Sequence, residues 1–205
     1  MDGLFLPWIF YARHDKIIIM KKYDVMIIGA GASGMAAAHA ALARGRSVAA
    51  IDMGNAPLRK VAASGGGRCN FTNAAAGRNR YFGENPDFVR GPLARVTSSD
   101  ILDWARGHNI AWTEKSAGQY FCADGAGAIV DALMSDARGA KIIQNDAVES
   151  VDFSGGQFII HAASGDYGAT SVIVATGGVS FPTLGTSDIG YKIAKHFGHK
   201  IVPVR

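Results

Sequence analysis

Two short apolar stretches near the start of the chain are separated by a stretch of small residues. Tyr23–Ile28 and Ser47–Asp52 are apolar at almost every position, as is typical of strands buried on both faces. Between them, the alanine-rich segment Ala32–Arg44 ends before Gly45, which predicts a helix that packs closely on a sheet. The order strand, helix, strand predicts a parallel pair with a right-handed crossover.

Polar and glycine-rich stretches divide the rest of the chain, and we expect Met53–Asn85 to be mostly loop. Further helices are predicted at Pro86–Val96, Ser98–His108, Ala126–Arg138 and Ile189–Phe197. Further strands are predicted at Ala111–Lys115, Gln119–Cys122, Lys141–Gln144, Ala147–Phe153, Gln157–Ala162 and Tyr167–Thr176. For the helix at Ser98, the pattern predicts Ser98 or Ser99 as N-cap and Asp103 in the first turn. Together these elements predict an α/β fold with a central parallel sheet, helices on both faces and a three-stranded β-meander.

Composition and charge narrow the classes of protein. The chain has 205 residues, 48% of them hydrophobic and 19% charged, which excludes a disordered or fibrous protein. About half of the net charge of +4 comes from the first 22 residues, and the other positive charges are scattered. We therefore expect no nucleic-acid partner. The apolar run Leu4–Ala12 is too short to span a membrane and lacks signal-peptide features, so we expect no membrane partner either.

The residues around Met20 suggest a start site inside the chain. Met20 is followed by two lysines and leads directly into the strand at Tyr23–Ile28. We expect Met20 to be the native start, residues 1–19 to be an upstream extension, and residues 20–205 to form the domain.

The two cysteines, Cys69 and Cys122, lie far apart and form no CxxC or Cys/His pattern. We therefore expect neither a metal site nor a disulfide, and a reducing, cytoplasmic location. For Cys69 we favour packing over redox chemistry, because no second cysteine lies near it in sequence. The six histidines share no spacing typical of ligands or of a catalytic pair, so no catalytic residue is assigned.

The sequence GAGASG lies between a predicted strand and a predicted helix and forms a GxGxxG motif. Its first glycine permits a tight turn, the second lets the backbone approach a pyrophosphate, and the third allows close packing of helix on sheet. The helix N-terminus offers free N–H groups to phosphates. An acid at the end of the second strand is placed to accept hydrogen bonds from a ribose, and it disfavours a 2′-phosphate. The nucleotide-binding residues predicted here are Gly29, Gly31, Ala32, Ser33, Gly34 and Asp52; the alternative is a glycine turn without a ligand.

The motif serves both FAD and NAD, and the rest of the chain favours FAD. A plain dinucleotide fold would continue with βαβ units, whereas this chain inserts a meander before the strand SVIVATGG. The arrangement resembles the two-dinucleotide-binding flavoproteins. That resemblance implies adenine contacts from the backbone of Val148 and a cofactor approach by Thr176, Gly177 and Gly178. Two alternatives remain, an NAD-binding dehydrogenase module and a strand-ending turn at Thr176–Gly178.

A longer sequence motif limits the resemblance to a smaller family of flavoproteins. SGGGRCNFTN from Ser64, together with ATGGVSFPTLG near the last strand, resembles the BaiN / aminoacetone-oxidase-like family of NAD(P)/FAD-dependent oxidoreductases. It implies a Rossmann-like FAD-binding domain, an inserted β-rich domain that begins after this chain, and a C-terminal segment that completes the flavin site. It also implies FAD as cofactor, NAD(P)H as electron donor and a small-molecule substrate that the sequence does not identify.

The glycine run of this string can fold against a planar or phosphorylated ligand with many backbone donors. Arg68 is placed to put positive charge near a reduced flavin, or alternatively to pair with a surface carboxylate. Lys60 has the same two interpretations, with phosphate as the ligand. The cofactor residues expected from this string are Lys60, Ser64, Gly66, Gly67, Arg68, Cys69 and Asn70.

Members of that family are about twice this length, so the resemblance implies a domain truncated before its inserted part. The missing C-terminal half would be supplied elsewhere or by a partner chain. Three hypotheses follow: an FAD-binding module of a flavoenzyme, an NAD-binding dehydrogenase module, and a non-catalytic remnant that exposes apolar surface.

Overall fold

The structure is a computed structural model that describes the backbone of residues 8–13 and 16–202 and the side chains from Met20 to Val202. The fold divides into two compact units. The larger unit comprises residues 1–59 and 134–205, and the smaller unit comprises Lys60–Leu133.

The helices and strands are numbered in chain order. The strands are β1 (Trp8–Arg13), β2 (Lys16–Ile28), β3 (Val48–Ile51), β4 (Asn70–Asn73), β5 (Trp112–Lys115), β6 (Gln119–Cys122), β7 (Lys141–Ile143), β8 (Val148–Ser154), β9 (Gln157–Ala162) and β10 (Gly165–Val174). The helices are α1 (Ala32–Leu42), α2 (Arg59–Gly67), α3 (Arg90–Arg95), α4 (Ser98–Gly107), α5 (Ala126–Asp136) and α6 (Ile189–His196).

The larger unit is built on one sheet with the strand order β7-β3-β2-β10-β9-β8, and β1 pairs with β2. The neighbouring strands β7, β3, β2 and β10 run parallel, whereas β8, β9 and β10 form an antiparallel meander. The predicted α/β fold, with its central parallel sheet and three-stranded meander, is confirmed.

Helices lie on both faces of this sheet. Side chains alternate along β2, so neighbouring residues of this strand point to opposite faces. Ile27 lies on the face of α1, where it is the nearest side chain to Gly34. Met26 and Ile28 lie on the opposite face, in a buried cluster with Ile189 and Ile193 of α6. The small residues of α1 let it lie close to the sheet.

The smaller unit has a three-stranded antiparallel sheet with the order β4-β6-β5. Cys69, Cys122, Ala105 of α4 and Ile129 of α5 belong to its buried core. The unit therefore has a hydrophobic core of its own.

The stretch Met53–Asn85, expected to be mostly loop, also contains α2 and β4, but most of its residues lie outside these two elements. Two sequence-based predictions for this region are wrong. The helix expected at Pro86–Val96 is only α3, because Asn85 closes a turn by accepting the N–H of Asp87 at 3.2 Å. The N-cap of α4 is Thr97 rather than Ser98 or Ser99, and the acid of its first turn is Asp100 rather than Asp103. Thr97 and Asp100 form a reciprocal capping box, which neither serine does.

Of the predicted extension 1–19, residues 1–7 and 14–15 lie outside the described residues, while residues 8–13 form β1. The start at Met20 remains a prediction. Among the helices that the structure describes, none combines the length and the apolar character needed to cross a membrane.

Candidate functional site

The carboxyl ends of three strands meet at the turn after β2. Gly29 has a φ of +107°, and its N–H donates to the Ile51 carbonyl at 2.8 Å. The Ala175 N–H donates to the Ile28 carbonyl, also at 2.8 Å. A Cβ at Gly29 would lie 2.4 Å from the Ala175 oxygen. Only glycine fits this conformation and this space, as the motif predicted.

The N-terminus of α1 is open at Gly31 and tightly packed at Gly34. Gly31 is the N-cap with a φ of −81°, and a Cβ there would have no neighbour within 4 Å. A Cβ at Gly34 would lie 2.0 Å from the Gly29 carbonyl oxygen. Thus Gly34 serves packing, whereas Gly31 leaves space that protein atoms do not fill.

The first amides of α1 point to the same end of the helix. The Met35 N–H donates to the Gly31 carbonyl at 2.9 Å, so Ala32 and Ser33 precede the first intrahelical bond. The first turn contains no acidic residue that would neutralise these amides. A helix end of this kind is suited to an anion.

Asp52 follows β3, and its carboxylate is already partly used. One oxygen accepts the Ala30 N–H at 2.8 Å, and the other accepts the Gly54 N–H at 2.7 Å. Arg59 lies 3.4 Å from this second oxygen. A carboxylate has about four acceptor positions, so about one remains for a ribose hydroxyl.

Sequence reasoning missed Arg59. Its guanidinium lies against Gly54 and Gly185, two glycines that are far from each other in the sequence. A Cβ at Gly54 would come within 2.2 Å of the guanidinium, and a Cβ at Gly185 would come within 2.9 Å of it. From the sequence, the acid at Asp52 is expected to disfavour a 2′-phosphate, but the structure places a cation beside that acid. No local signal marks Arg59, because its position depends on the backbone of Gly185.

Arg59 and Asp52 line a cleft at this edge of the sheet. The other lining residues include Gly29, Val148, Thr176 and Gly185. The structure thus brings together the GxGxxG turn, Asp52, Val148 and Thr176, which are predicted from the sequence to belong to one site.

Asp146 also lines the cleft and was not predicted. It is 3% exposed, and its carboxylate accepts the Ser164 N–H at 2.9 Å, the Ser164 hydroxyl at 2.5 Å and the Tyr167 hydroxyl at 2.9 Å. Burial pushes the pKa of Asp146 upward, but these hydrogen bonds outweigh it and hold the pKa below its ordinary value. The Asp146 N–H donates to the Asp52 carbonyl at 3.1 Å, so Asp146 fixes the backbone just before Val148.

The glycines after β10 have different roles. Gly177 has a φ of +71°, and a Cβ on it would have no neighbour within 4 Å. A Cβ at Gly178 would only touch the Tyr191 hydroxyl, at 4.0 Å. Thr176 packs against α6, because a Cβ at Gly190 would lie 2.4 Å from its hydroxyl oxygen.

In the smaller unit, the glycine run forms a left-handed loop. Gly65, Gly66 and Gly67 have φ angles of +59°, +67° and +80°. A Cβ at Gly65 would lie 2.8 Å from the Phe121 ring, whereas Gly66 and Gly67 face open space. The Arg68 guanidinium lies 5.7 Å from the centroid of the Phe121 ring, so its observed neighbour is an aromatic ring. Contacts of Lys60, Ser64, Arg68 and Asn70 with a cofactor remain a prediction.

The packing role favoured for Cys69 is confirmed by its position in the core. Cys69 and Cys122 are both free and buried, at 5% and 0% exposure. The Cys122 N–H approaches the Cys69 carbonyl at 3.3 Å, so two cysteines that are unrelated in sequence are neighbours. Burial raises the pKa of the Cys69 thiol. Within the described part of the chain, no group of three or more His, Cys, Asp or Glu side chains is arranged to bind a metal ion.

Comparison with known proteins decides the family. Residues 23–204 match the model of the HI0933-like protein Rossmann domain. The chain belongs to this family. The match covers the cleft and the glycine loop alike.

Relatives and solved structures agree with this assignment. The chain is 42% identical to the ribosomal RNA dihydrouridine synthase of Escherichia coli (strain K12) over 91% of its own length and 47% of that protein. It is 33% identical to the 3-dehydro-bile acid delta(4,6)-reductase of Clostridium scindens over 87% of its length and 44% of that protein. The fold resembles a flavocytochrome c3 fumarate reductase, with a TM-score of 0.59, 18% identity, and coverage of 86% of this chain and 40% of that one. The chain therefore spans about half the length of the curated relatives it matches.

Proposed function

We propose that this chain is the FAD-binding part of a flavoprotein reductase that adds hydrogen across a carbon–carbon double bond. The observation that carries the proposal is the open N-terminus of α1 beside Asp52: unfilled space at Gly31, unpaired helix amides, and a carboxylate on the next strand. These features fit the pyrophosphate and ribose of a dinucleotide.

The proposal gives binding roles to three residues of the cleft and to the N-terminus of α1. The amides of Ala32, Ser33 and Gly34 donate to the pyrophosphate, and the remaining acceptor position of Asp52 takes a ribose hydroxyl. The guanidinium of Arg59 adds positive charge near the phosphates, and the backbone of Val148 lies by the adenine. FAD supplies the hydride chemistry when bound, while the protein contributes binding, orientation and electrostatics.

We infer the reaction class from the names of two relatives. One is named for making dihydrouridine in ribosomal RNA, and the other for reducing a delta(4,6) bile acid. Both names describe the reduction of carbon–carbon double bonds.

We favour a uracil ring of RNA as the substrate, because identity to the RNA-modifying relative is higher, 42% against 33%. This choice departs from our expectation, drawn from the sequence, that no nucleic acid is bound. We retain NAD(P)H as the proposed electron donor.

One observation supports a second candidate, a nicotinamide dinucleotide in the same cleft. Arg59 lies 3.4 Å from Asp52, where it could bind a 2′-phosphate. Titrating the flavin-free chain with FAD, NAD⁺ and NADP⁺ separates the two candidates. We expect saturable quenching of flavin fluorescence with FAD and no saturable binding of NAD⁺ or NADP⁺ in the absence of FAD, because the proposed donor NAD(P)H acts on the flavin-loaded protein. Saturable NADP⁺ binding without FAD binding would reverse the proposal.

The substrate is tested separately from the cofactor. Ribosomal RNA from cells that lack the gene is digested to nucleosides and compared with wild-type RNA by mass spectrometry. We expect a loss of dihydrouridine. Unchanged dihydrouridine would leave the FAD proposal intact and remove RNA as the substrate.

A further inference from the structure

A segment of the smaller unit exposes aromatic rings to an unusual degree. Every residue from Arg78 to Phe88 is exposed. Phe82 is 92% exposed, Phe88 is 76% exposed and Tyr81 is 45% exposed. Large rings in such positions do not stabilise the fold, which suggests that they contact something else.

Several arginines lie near these rings in the sequence. Arg78, Arg80, Arg90 and Arg95 lie between positions 78 and 95, against only two carboxylates, Glu84 and Asp87. Arg78 pairs with Asp87 at 2.6 Å. In the part of the chain that the structure describes, Arg80, Arg90 and Arg95 form no salt bridge. Three positive charges are therefore available to a ligand.

Contacts within the segment order its backbone. The Arg78–Asp87 pair closes a loop that contains Tyr81 and Phe82 and ends just before Phe88. A short helical turn at Arg78–Arg80 begins the loop, and the Phe88 N–H donates to the Asn85 carbonyl at 3.2 Å near its end. A constrained loop loses less conformational entropy when it binds a ligand.

We propose that this aromatic segment, residues 78–95, which comprises the loop and α3, binds single-stranded RNA. The rings of Tyr81, Phe82 and Phe88 stack on unpaired bases, and Arg80, Arg90 and Arg95 contact the phosphates. Exposed rings interleaved with unpaired arginines favour RNA over an acidic protein, since arginines alone would suffice for the latter. The choice of RNA rests on the proposed function and deepens it, because it gives an RNA-modifying enzyme a surface for its substrate.

The test uses the intact chain and a fluorescein-labelled oligouridine of about 12 nucleotides, with binding followed by fluorescence anisotropy. Phe82→Ala and Phe88→Ala should each weaken binding by about 5- to 150-fold, the loss expected for one stacked base. Phe82→Tyr should retain most of the affinity. As a matched control, Phe153→Ala removes a ring that is 56% exposed on β8, and it should leave binding unchanged.

Salt dependence tests the phosphate contacts. Arg80→Gln and Arg90→Gln should each reduce the slope of log K against log salt concentration by about 0.7, as expected for one phosphate of a single strand. Arg44→Gln, just after α1, is the control and should leave the slope unchanged.

Three outcomes would overturn the proposal: unchanged affinity in both phenylalanine variants, equally tight binding of heparin, and displacement of the RNA by polyglutamate. The last would assign the aromatic segment to an acidic protein. FAD titration of the same variants keeps the two proposals separate, because we expect flavin affinity to remain unchanged in all of them. RNA binding by a chain that ignores FAD would overturn only the cofactor assignment.

Discussion

The carboxylate of Asp52 accepts the backbone N–H of Ala30 at 2.8 Å, and this bond ties the end of β3 to the turn after β2. Its other oxygen accepts the Gly54 N–H at 2.7 Å. The same side chain therefore shapes the turn and faces the cleft. Its structural role and its proposed ligand-binding role can be separated by substitution.

Asp52→Asn keeps one acceptor oxygen and removes the charge, whereas Asp52→Ala removes both acceptors. We expect Asp52→Ala to destabilise the fold by about 1–3 kcal/mol, because the N–H groups of Ala30 and Gly54 lose their partner. Both variants should weaken FAD binding by about tenfold or more. Urea unfolding and fluorescence titration measure the two effects, with Asp131→Asn on the exposed face of α5 as control. Wild-type FAD affinity in Asp52→Ala would remove this residue from the site.

Gly31 and Gly34 should respond in opposite ways to the same change. Gly31→Ala adds a methyl group to empty space at an allowed φ, so we expect a stability loss below about 1 kcal/mol. In the proposed function that methyl group lies where the pyrophosphate approaches, so FAD affinity should fall at least about tenfold.

Gly34→Ala places a methyl group 2.0 Å from the Gly29 carbonyl oxygen, which forces α1 away from the turn. We expect it to cost about 1–3 kcal/mol of stability. Thermal unfolding and FAD titration of the two variants check the pair. A Gly31→Ala protein that binds FAD normally would show that the open space at Gly31 is not the pyrophosphate site.

Part of this site follows from local sequence. The run of apolar residues before Gly29 and the small residues after it determine a strand, a turn and a helix within about 20 residues, so the positions of Gly29, Gly34 and Asp52 are predictable from the sequence alone. The role of Arg59 could not be foreseen, because its guanidinium packs against Gly185, which lies far from it in the sequence. Packing between residues that are far apart in the chain leaves no periodic pattern in the sequence from which it could be predicted.

Helix capping, a glycine run and strand pairing account for other features that the sequence did not predict. Thr97 and Ser98 are both residue types that cap helices, but only Thr97 is three residues from Asp100 and can exchange hydrogen bonds with it. The glycine run at the end of α2, where Ser64, Gly65 and Gly66 leave helical geometry, hid that helix, since three glycines in succession argue against helical structure. The neighbouring positions of Cys69 and Cys122 depend on the pairing of β4 with β6, which cysteine spacing does not encode.

Asp146 should make stability depend on pH in the acid range. Its folded-state pKa lies below the value of about 3.9 typical of an unfolded chain. The stabilisation is therefore fully present above that unfolded value, and it is lost as the pH falls through the lower folded pKa. We expect Asp146→Asn to be about 1–3 kcal/mol less stable at neutral pH, with a difference that shrinks below about pH 4.

Urea unfolding of both proteins at several pH values measures this difference. The pKa values of Asp24 and Asp100 are also lowered, by hydrogen bonds with Ser47 and Thr97, but these groups are common to both proteins and cancel. A gap between wild type and Asp146→Asn that stays constant from neutral to acid pH would contradict the assigned hydrogen bonds.

Cys69 and Cys122 should be inert in the folded protein. Both thiols are buried, and burial raises the pKa of Cys69, so little thiolate forms at neutral pH. We expect a thiol-alkylating reagent such as iodoacetamide to label neither cysteine in native buffer and both in denaturant, as read by intact mass. Cys69→Ser should destabilise the smaller unit by placing a hydroxyl in its core, whereas Cys69→Ala should be milder. Rapid native labelling of Cys69 would mean that the glycine loop opens, and it would make this thiol a candidate for redox chemistry again.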